Sequence, residues 1–405
     1  MIGMYELDHE FMQEVYASAS KKISRGGFLV LEGEKNGAEY LIKQPKVLLV
    51  DLGAHFGGVE NYLVSLAALL HGEVELHALC VLPELAKRLE AAGAKTTLLP
   101  TLGGALKPLR FLLTALVLPM ILLRDRIDII QVNGFLEATL MLEARLLGRR
   151  AVYTRHGPFE MELYPWYRAP LKFLPRALAR ISVHLATQVV CVSETVGIGV
   201  KEIRPAVPTV VIPNWLAGQS APQTVRCEAG DEIAIVCASR LERYKGIHLA
   251  VAAIRGVPGA KLVVVGDGPY RSALEEMSTD LIASGKVEFA GFQKNMQPYY
   301  ELADIFCMPS LGPEGLPMSS LEAMGRGLPC ILSDLPVHRE ITDDGIGAML
   351  FPSGDESSLQ QAMTLLATDV AARAKFAREG YRIIGERYTA ERVRAGYLKV
   401  FAATL

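Results

Sequence analysis

Two glutamates, two cations and a set of glycine turns are the residues of this chain whose types and spacing could do chemistry. The densest segment runs from Pro309 to Asp334, PSLGPEGLPMSSLEAMGRGLPCILSD. An apolar run ends at Met308, a Gly/Pro-rich loop follows, and a helix is expected to begin near Pro317 with Ser319 and Ser320 in its first turn. Proline suits the first helical position, where a backbone N–H would have no helical partner anyway. The backbone from Gly315 and Leu316, through Pro317, to Met318 and Ser319 would then present N–H groups to an anion. Glu314 stands just before this helix and Glu322 within it. A glycosidase acid/base pair needs its carboxyls roughly 5–9.5 Å apart. On a continuous helix these two would be about 12 Å apart, although the loop can change that. Carboxylates flanking an anion-binding turn better suit hydroxyl contacts on a bound sugar and ribose. A structural alternative stays open, with Glu322 pairing with Arg326 at i,i+4 and Glu314 solvated.

The segment ASRLERYKG places Arg240 and Lys245 after the strand-like run EIAIVCAS. Two cations at the C-terminal end of a strand could neutralise a diphosphate and stabilise it as a leaving group; surface charge is the plainer reading. In KLVVVGDGPY, Gly266 and Gly268 also follow a strand, but Arg271 occupies the place of the third glycine of a dinucleotide fingerprint. A turn that admits a nucleotide base and an ordinary βα turn both fit. Gly57 and Gly58 open a helix after KVLLVDLGAHF without the lysine of a P-loop. They fit a phosphate approach or a simple tight turn. His156, in VYTRHG, again follows a strand. A lone histidine in such a place is often structural.

These motifs need strands to position them, and the chain supplies the pattern. From Lys46 onward, short β-branched runs (KVLLVDL, IDIIQV, AVYTRH, QVVCVS) alternate with longer helical segments, which implies parallel βαβ units. PNWLAGQSAPQTVRCEAGDE, rich in Gly, Pro and small polar residues, reads as an interdomain linker, and the alternation then restarts. The expected fold is α/β: two Rossmann-like doubly wound parallel-sheet domains facing a cleft, with ligands at strand C-termini. The first domain spans 46–213 and the second 214–387. Residues 1–45 form an extension that fits the scheme poorly, with a possible helix over 8–23 and a hairpin turning at Asn36-Gly37.

A length of 405 residues allows two or three domains, and a net charge of −2 gives no whole-protein reason to expect nucleic acid. The six cysteines are scattered without close pairs, which points to buried thiols rather than disulfides or a metal site. The N-terminus lacks a basic start followed by an apolar core, which favours the cytoplasm. Phe111 to Leu123 is the most membrane-like run. Its helical length of about 20 Å falls short of the ~30 Å hydrocarbon layer, so a buried helix is expected, the alternative being that part of it meets lipid. Arg168, Lys172, Arg176 and Arg180 recur every four residues beside Trp166, Tyr167 and Phe173. That face suits either solvent or a membrane surface.

Taken together, these motifs resemble the retaining glycosyltransferases of GT-B fold known as glycosyltransferase group 1, or family four, from about Lys46 to the C-terminus. The resemblance implies that Glu314 contacts the donor sugar, Glu322 the ribose, and Arg240 and Lys245 the diphosphate. It also implies that Gly57 and Gly58 lie near the phosphates, His156 near the transferred sugar, and Gly266 and Gly268 near the base. By the same analogy, a C-terminal helix over 388–405 should cross back onto the first domain. The chain departs from the family in carrying Gln131-Val132-Asn133 where a His–x–His pair is common, and Pro317 where glycine is common.

The implied activity is transfer of a sugar from a UDP- or GDP-linked donor to a glycan or lipid-linked acceptor with retention of configuration. It would require no metal and no cofactor beyond that donor, and would serve cell-surface polysaccharide or glycolipid synthesis. The implied location is cytoplasmic, peripheral at the inner membrane face. The alternatives are a GT-B-fold epimerase or phosphorylase, and a non-catalytic sugar-nucleotide-binding protein.

Overall fold

The computed structural model describes residues 44–405 apart from 54–56, 102–106, 135–137, 159–172, 217, 219–221, 223–231 and 405. It describes the backbone alone at 19–25, 28–33, 39–43, 107–111, 138–139 and 173–176. Near the N-terminus, β1 (Ala19–Arg25), β2 (Phe28–Gly33) and β3 (Glu39–Lys43) form an antiparallel sheet. The helix expected over 8–23 is therefore corrected at its C-terminal end. There the chain pairs with β2, Arg25 opposite Phe28, because cross-strand pairing overrides a weak helical pattern. Residues 8–18 and the Asn36-Gly37 turn lie outside the described residues, although Glu32 and Glu39 pair on either side of that turn.

Two parallel sheets follow. The first lobe contains β4 (Lys46–Asp51), α1 (Gly58–Leu70), β5 (Glu75–Cys80), α2 (Pro83–Ala91), β6 (Lys95–Leu98) and α3 (Lys107–Arg124). It continues through β7 (Ile129–Val132), α4 (Ala138–Leu146), β8 (Arg150–Arg155), α5 (Phe173–Leu185), β9 (Gln188–Cys191), α6 (Glu194–Ile203) and β10 (Thr209–Val211). The second lobe has β11 (Ile233–Ala238), α7 (Ile247–Ala253), β12 (Ala260–Val265), α8 (Arg271–Met277), α9 (Thr279–Ala283) and β13 (Val287–Gly291). After these come α10 (Gln297–Leu302), β14 (Ile305–Met308), α11 (Met318–Met324), β15 (Cys330–Ser333), α12 (Pro336–Thr342) and β16 (Met349–Phe351). Three helices close the chain: α13 (Glu356–Thr368), α14 (Val370–Arg387) and α15 (Ala390–Thr404).

The strand orders are β10-β9-β8-β7-β4-β5-β6 and β13-β12-β11-β14-β15-β16. Central strands are apolar throughout because helices cover both faces; every residue of Ile233–Ala238 is buried. The order reverses between β4 and β7 and between β11 and β14, and ligands in open parallel sheets bind where such a reversal opens a crevice. The loops after those four strands carry Gly57 and Gly58, Asn133, Arg240 with Lys245, and Glu314. His156 and the pair Gly266 and Gly268 follow β8 and β12, one strand further out.

The chain crosses between the lobes twice. Trp215, at the start of the linker, is buried in the first lobe and meets the Tyr62 ring edge-on at 5.4 Å. Leu216 bridges to Thr389, and its N–H donates to the Tyr388 carbonyl. The outgoing and returning segments thus lie side by side. Beyond them α15 packs on α1, with Tyr397 and Phe401 buried in the first lobe's core and the Tyr397 hydroxyl bonded to that of Tyr62.

The expectation of a buried helix at Phe111–Leu123 is corrected. Leu118, Ile121 and Leu122 are buried, but Leu112, Leu116, Met120 and Leu123 are each more than half exposed. Their spacing gathers them on one outer stripe of α3, so the helix has an inner and an outer apolar face. No described helix is long and apolar enough to cross a membrane. Of the four cations spaced along 168–180, Arg180 is exposed, and the side chains of Arg168, Lys172 and Arg176 lie outside the described residues. The five described cysteines are buried and unbridged.

Phe401 is fully buried in the first lobe. Phe401→Ala should therefore lower stability by about 3–5 kcal/mol, the cost of emptying a buried aromatic site. Urea denaturation checks this; a loss below about 1 kcal/mol would mean that α15 is not part of that core.

Candidate active site

The site is assembled by two loops of the second lobe lying against each other. Gly246 ends the turn Arg243–Lys245 in the left-handed region at φ +68°, and a side chain there would come within 1.8 Å of the Pro309 carbonyl oxygen. Only glycine allows that approach. Leu311 N–H donates to the Tyr244 carbonyl at 2.7 Å, so the loop after β11 and the loop after β14 are laced together. The result is a bidentate ion pair: Lys245 Nζ donates to both Glu314 oxygens at 2.7 and 2.8 Å, and Ser310 Oγ donates to Oε1 at 2.7 Å. The two side chains are only 13% and 8% exposed. Glu314 is therefore not solvated. Either charge without the other would be an uncompensated buried ion.

Arg240 behaves differently. It is 70% exposed and pairs with Glu242, so the structure does not bring it into contact with Lys245. Gly266 and Gly268 are explained by packing. Side chains there would meet the carbonyl oxygens of Ser239 and Leu241 at 1.9 and 2.4 Å, which holds the 266–268 turn against the Arg240 loop.

Pro317 occupies the N-cap of α11 rather than its first helical position, a small correction. Its ψ of 108° is extended, and its carbonyl already accepts from Ser320 and Leu321 N–H. Met318 is partly exposed, while Ser320 is buried. Glu322 lies one turn further along and accepts from the Tyr300 hydroxyl at 2.7 Å. Burial and the Glu322 carboxylate push that phenol's pKa well up. Arg326 donates to the Glu322 carbonyl and to Gln297 rather than to the Glu322 carboxylate, so the expected alternative i,i+4 ion pair does not form. Glu314 lines a cleft between the lobes of about 600 Å³, and Glu322 lines a cavity of about 380 Å³ with Lys294 and Gln297.

The first lobe supplies the opposite wall through Pro158, Thr195 and Val196, and His156 stands two residues before Pro158. His156 is half-buried, its Nε2 lies 3.1 Å from Asn133 Oδ1, and its ring meets Tyr62 edge-on at 4.6 Å. Burial, reinforced by the neighbouring Arg155 cation, pushes its pKa down to about 4, so the imidazole is neutral near pH 7. At the glycine loop, the Gly57 N–H is already engaged by Glu60 Oε2 at 2.7 Å, so it is not a free phosphate donor. Gly58 has open space where a side chain would stand.

The two walls touch. A side chain at Gly315 would come within 1.9 Å of the His156 carbonyl oxygen, so the lobes meet there backbone to backbone. Ser193 Oγ donates to the Gly315 carbonyl at 2.8 Å, and Asn214 Nδ2 to the Leu316 carbonyl at 3.3 Å. Glu340 of the second lobe accepts from Glu194 N–H, Thr195 N–H and Thr195 Oγ1 at 2.8, 3.2 and 3.2 Å, satisfying the first turn of α6. Sequence reasoning did not single out Ser193, Asn214, Ser310 or Glu340. Ser193 had a local signal as an N-cap serine, accepting from Val196 N–H. Among the described residues, no group of three His, Cys, Asp or Glu side chains has metal-ligand geometry.

Two parallel-sheet lobes facing one cleft, each with its switch point turned to the other, define a GT-B architecture. Residues 226–383 match the family described as Glycosyl transferases group 1, and residues 56–216 match Glycosyltransferase Family 4. The chain belongs to the group 1 glycosyltransferases. It is 28% identical to the lipopolysaccharide core biosynthesis glycosyltransferase LpsE of Rhizobium meliloti, over 43% of this chain and 51% of that protein. It is 36% identical to a GDP-mannose-dependent α-(1-6)-phosphatidylinositol monomannoside mannosyltransferase of Mycobacterium tuberculosis, over 26% and 31% of the two chains. The chain thus spans about half the length of the first of these relatives, and less of the second. Among solved structures, Anabaena HepE in complex with UDP and glucose shares the fold with a TM-score of 0.74 and 19% identity, covering 89% of this chain and all of that one.

Two outcomes follow from this geometry. Gly315→Ala should preserve secondary structure by circular dichroism while prising the lobes apart, read as a larger radius of gyration in small-angle scattering; an unchanged radius would refute the backbone contact. For His156, the unfolded chain takes up a proton near pH 6.5 and the folded one only near 4. Its contribution to stability should therefore decline as pH falls from about 6.5 to about 4 and level off below, relative to His156→Gln. Denaturation at several pH values measures the difference.

Proposed function

We propose that this chain transfers a sugar from a nucleotide diphosphate donor to a glycan or lipid-linked acceptor, with retention of configuration. The observation that carries this reading is the Lys245–Glu314 ion pair enclosed beneath the interlobe cleft. A donor's diphosphate, carrying more charge than a carboxylate, would take over Lys245, and Glu314 would turn to hydroxyls of the sugar. Exposed Arg240 would leave Glu242 and swing in from its loop, and Glu322 is the partner for the ribose, with Gly266 and Gly268 near the base. Gly58 and the N–H groups at the start of α11, from Gly315 to Ser319, add main-chain donors. In the transfer, the acceptor oxygen bonds to the anomeric carbon as the bond from that carbon to the diphosphate breaks. The acceptor proton passes to the departing phosphate oxygen, a front-face route that needs no enzyme nucleophile. Neutral His156 contributes hydrogen bonding rather than charge.

The names of the matched relatives, in lipopolysaccharide, amylovoran and phosphatidylinositol mannoside synthesis, favour cell-surface glycans or glycolipids as products. The exposed stripe Leu112, Leu116, Met120 and Leu123 gives a peripheral membrane surface for such an acceptor.

Thermal-shift screening of UDP- and GDP-linked sugars tests the donor, since a ligand of the folded state raises its apparent stability. Lys245→Ala should cost roughly 10²–10³ in turnover. Near-wild-type turnover in that variant would sink the mechanism, and an altered nucleotide sugar in place of released nucleoside diphosphate would make the enzyme an epimerase. Leu116→Glu with Met120→Glu should abolish sedimentation with anionic vesicles while sparing transfer to a soluble acceptor; unchanged sedimentation would remove α3 as the contact.

A further inference from the structure

Asn133 follows the last residue of β7, beside β8, whose end carries His156. It is 7% exposed, so its amide must find partners inside the protein. Its Oδ1 lies 3.1 Å from His156 Nε2. A carbonyl oxygen accepts and cannot donate, so the proton of a neutral ring paired this way belongs to Nε2. Nδ1 is then an acceptor. Asn133 Nδ2 is buried with no hydrogen-bond partner among the described residues, a cost that an arriving oxygen would relieve.

We propose that Asn133 is a positioning residue that fixes His156 as the Nε2–H tautomer and keeps its Nδ1 ready to accept from a hydroxyl of the sugar or acceptor. The hydroxyl-binding part rests on the transferase reading above; the tautomer does not. The groups packed around the ring agree with a neutral imidazole. Tyr62 on α1 offers an aromatic edge, the second lobe's Gly315 lies on the His156 backbone carbonyl rather than bringing a charge, and the charged neighbour is Arg155 at the end of β8. Arg155 is itself tied to the Tyr153 hydroxyl and the Pro158 carbonyl. A histidine at position 133 would offer a second titrating ring; an amide offers an acceptor of constant charge.

The test is ¹⁵N NMR of the His156 imidazole in the full-length protein, without substrate. Wild type at pH 7 should carry its proton on Nε2 alone and should not titrate above about pH 5. Asn133→Asp changes little in shape and adds a carboxylate, which should move the titration midpoint up by about 1–3 pH units. In that variant kcat/KM should gain a new acid-side fall tracking this midpoint and recover above it. Asn133→Ala should release the tautomer preference and lower kcat by about tenfold with no new pH limb. A wild-type ring protonated on Nδ1, or an unmoved midpoint in Asn133→Asp, would overturn the proposal. The expected NMR behaviour with no transfer from any nucleotide sugar would instead refute the transferase reading and the hydroxyl role that rests on it, leaving the tautomer assignment standing.

Discussion

The two lobes meet where a side chain cannot fit. With no Cβ at Gly315, the loop ahead of α11 lies directly on the His156 carbonyl, and the other cross-lobe bonds are arranged around that approach. Ser193 and Asn214 hold the carbonyls of Gly315 and Leu316, and Glu340 reaches the start of α6 from the opposite lobe. Each bond is modest alone, but together they hold the loop that carries Glu314 against the strand end that carries His156. Movement of one lobe against the other must break this set, so opening the cleft and exposing the site are one event.

Charge is handled with similar economy. Lys245 and Glu314 are too enclosed to stand alone, and each neutralises the other while Ser310 satisfies a remaining lone pair. On the first lobe His156 is neutral, its ring bordered by an amide and a phenol, and the neighbouring Arg155 cation is tied to the Tyr153 hydroxyl and the Pro158 carbonyl.

Most of the architecture was legible because parallel strands covered on both faces leave continuous apolar runs, as in Lys46–Asp51 and Ala260–Val265. The residues after those strands were legible for the same reason, since strand ends locate the switch points. Partnership was not. Lys245 and Glu314 could each be singled out, but their bond depends on the approach of Gly246 to Pro309, which no local pattern encodes. Glu340 meets Glu194 across 146 positions. The turn Ala19–Arg25 takes into a sheet depends on its pairing with Phe28–Gly33, and the outer stripe of α3 looks, by composition alone, the same as its buried one.

The return of α15 has a consequence for the order in which the molecule is made. Tyr397 and Phe401 fill the first lobe's core and back Tyr62, which in turn borders His156. Those residues leave the ribosome after the whole second lobe. Domains generally mature from the N-terminus as they are synthesised. Here the lobe that begins first is completed last, and its half of the cleft is finished only when the tail arrives.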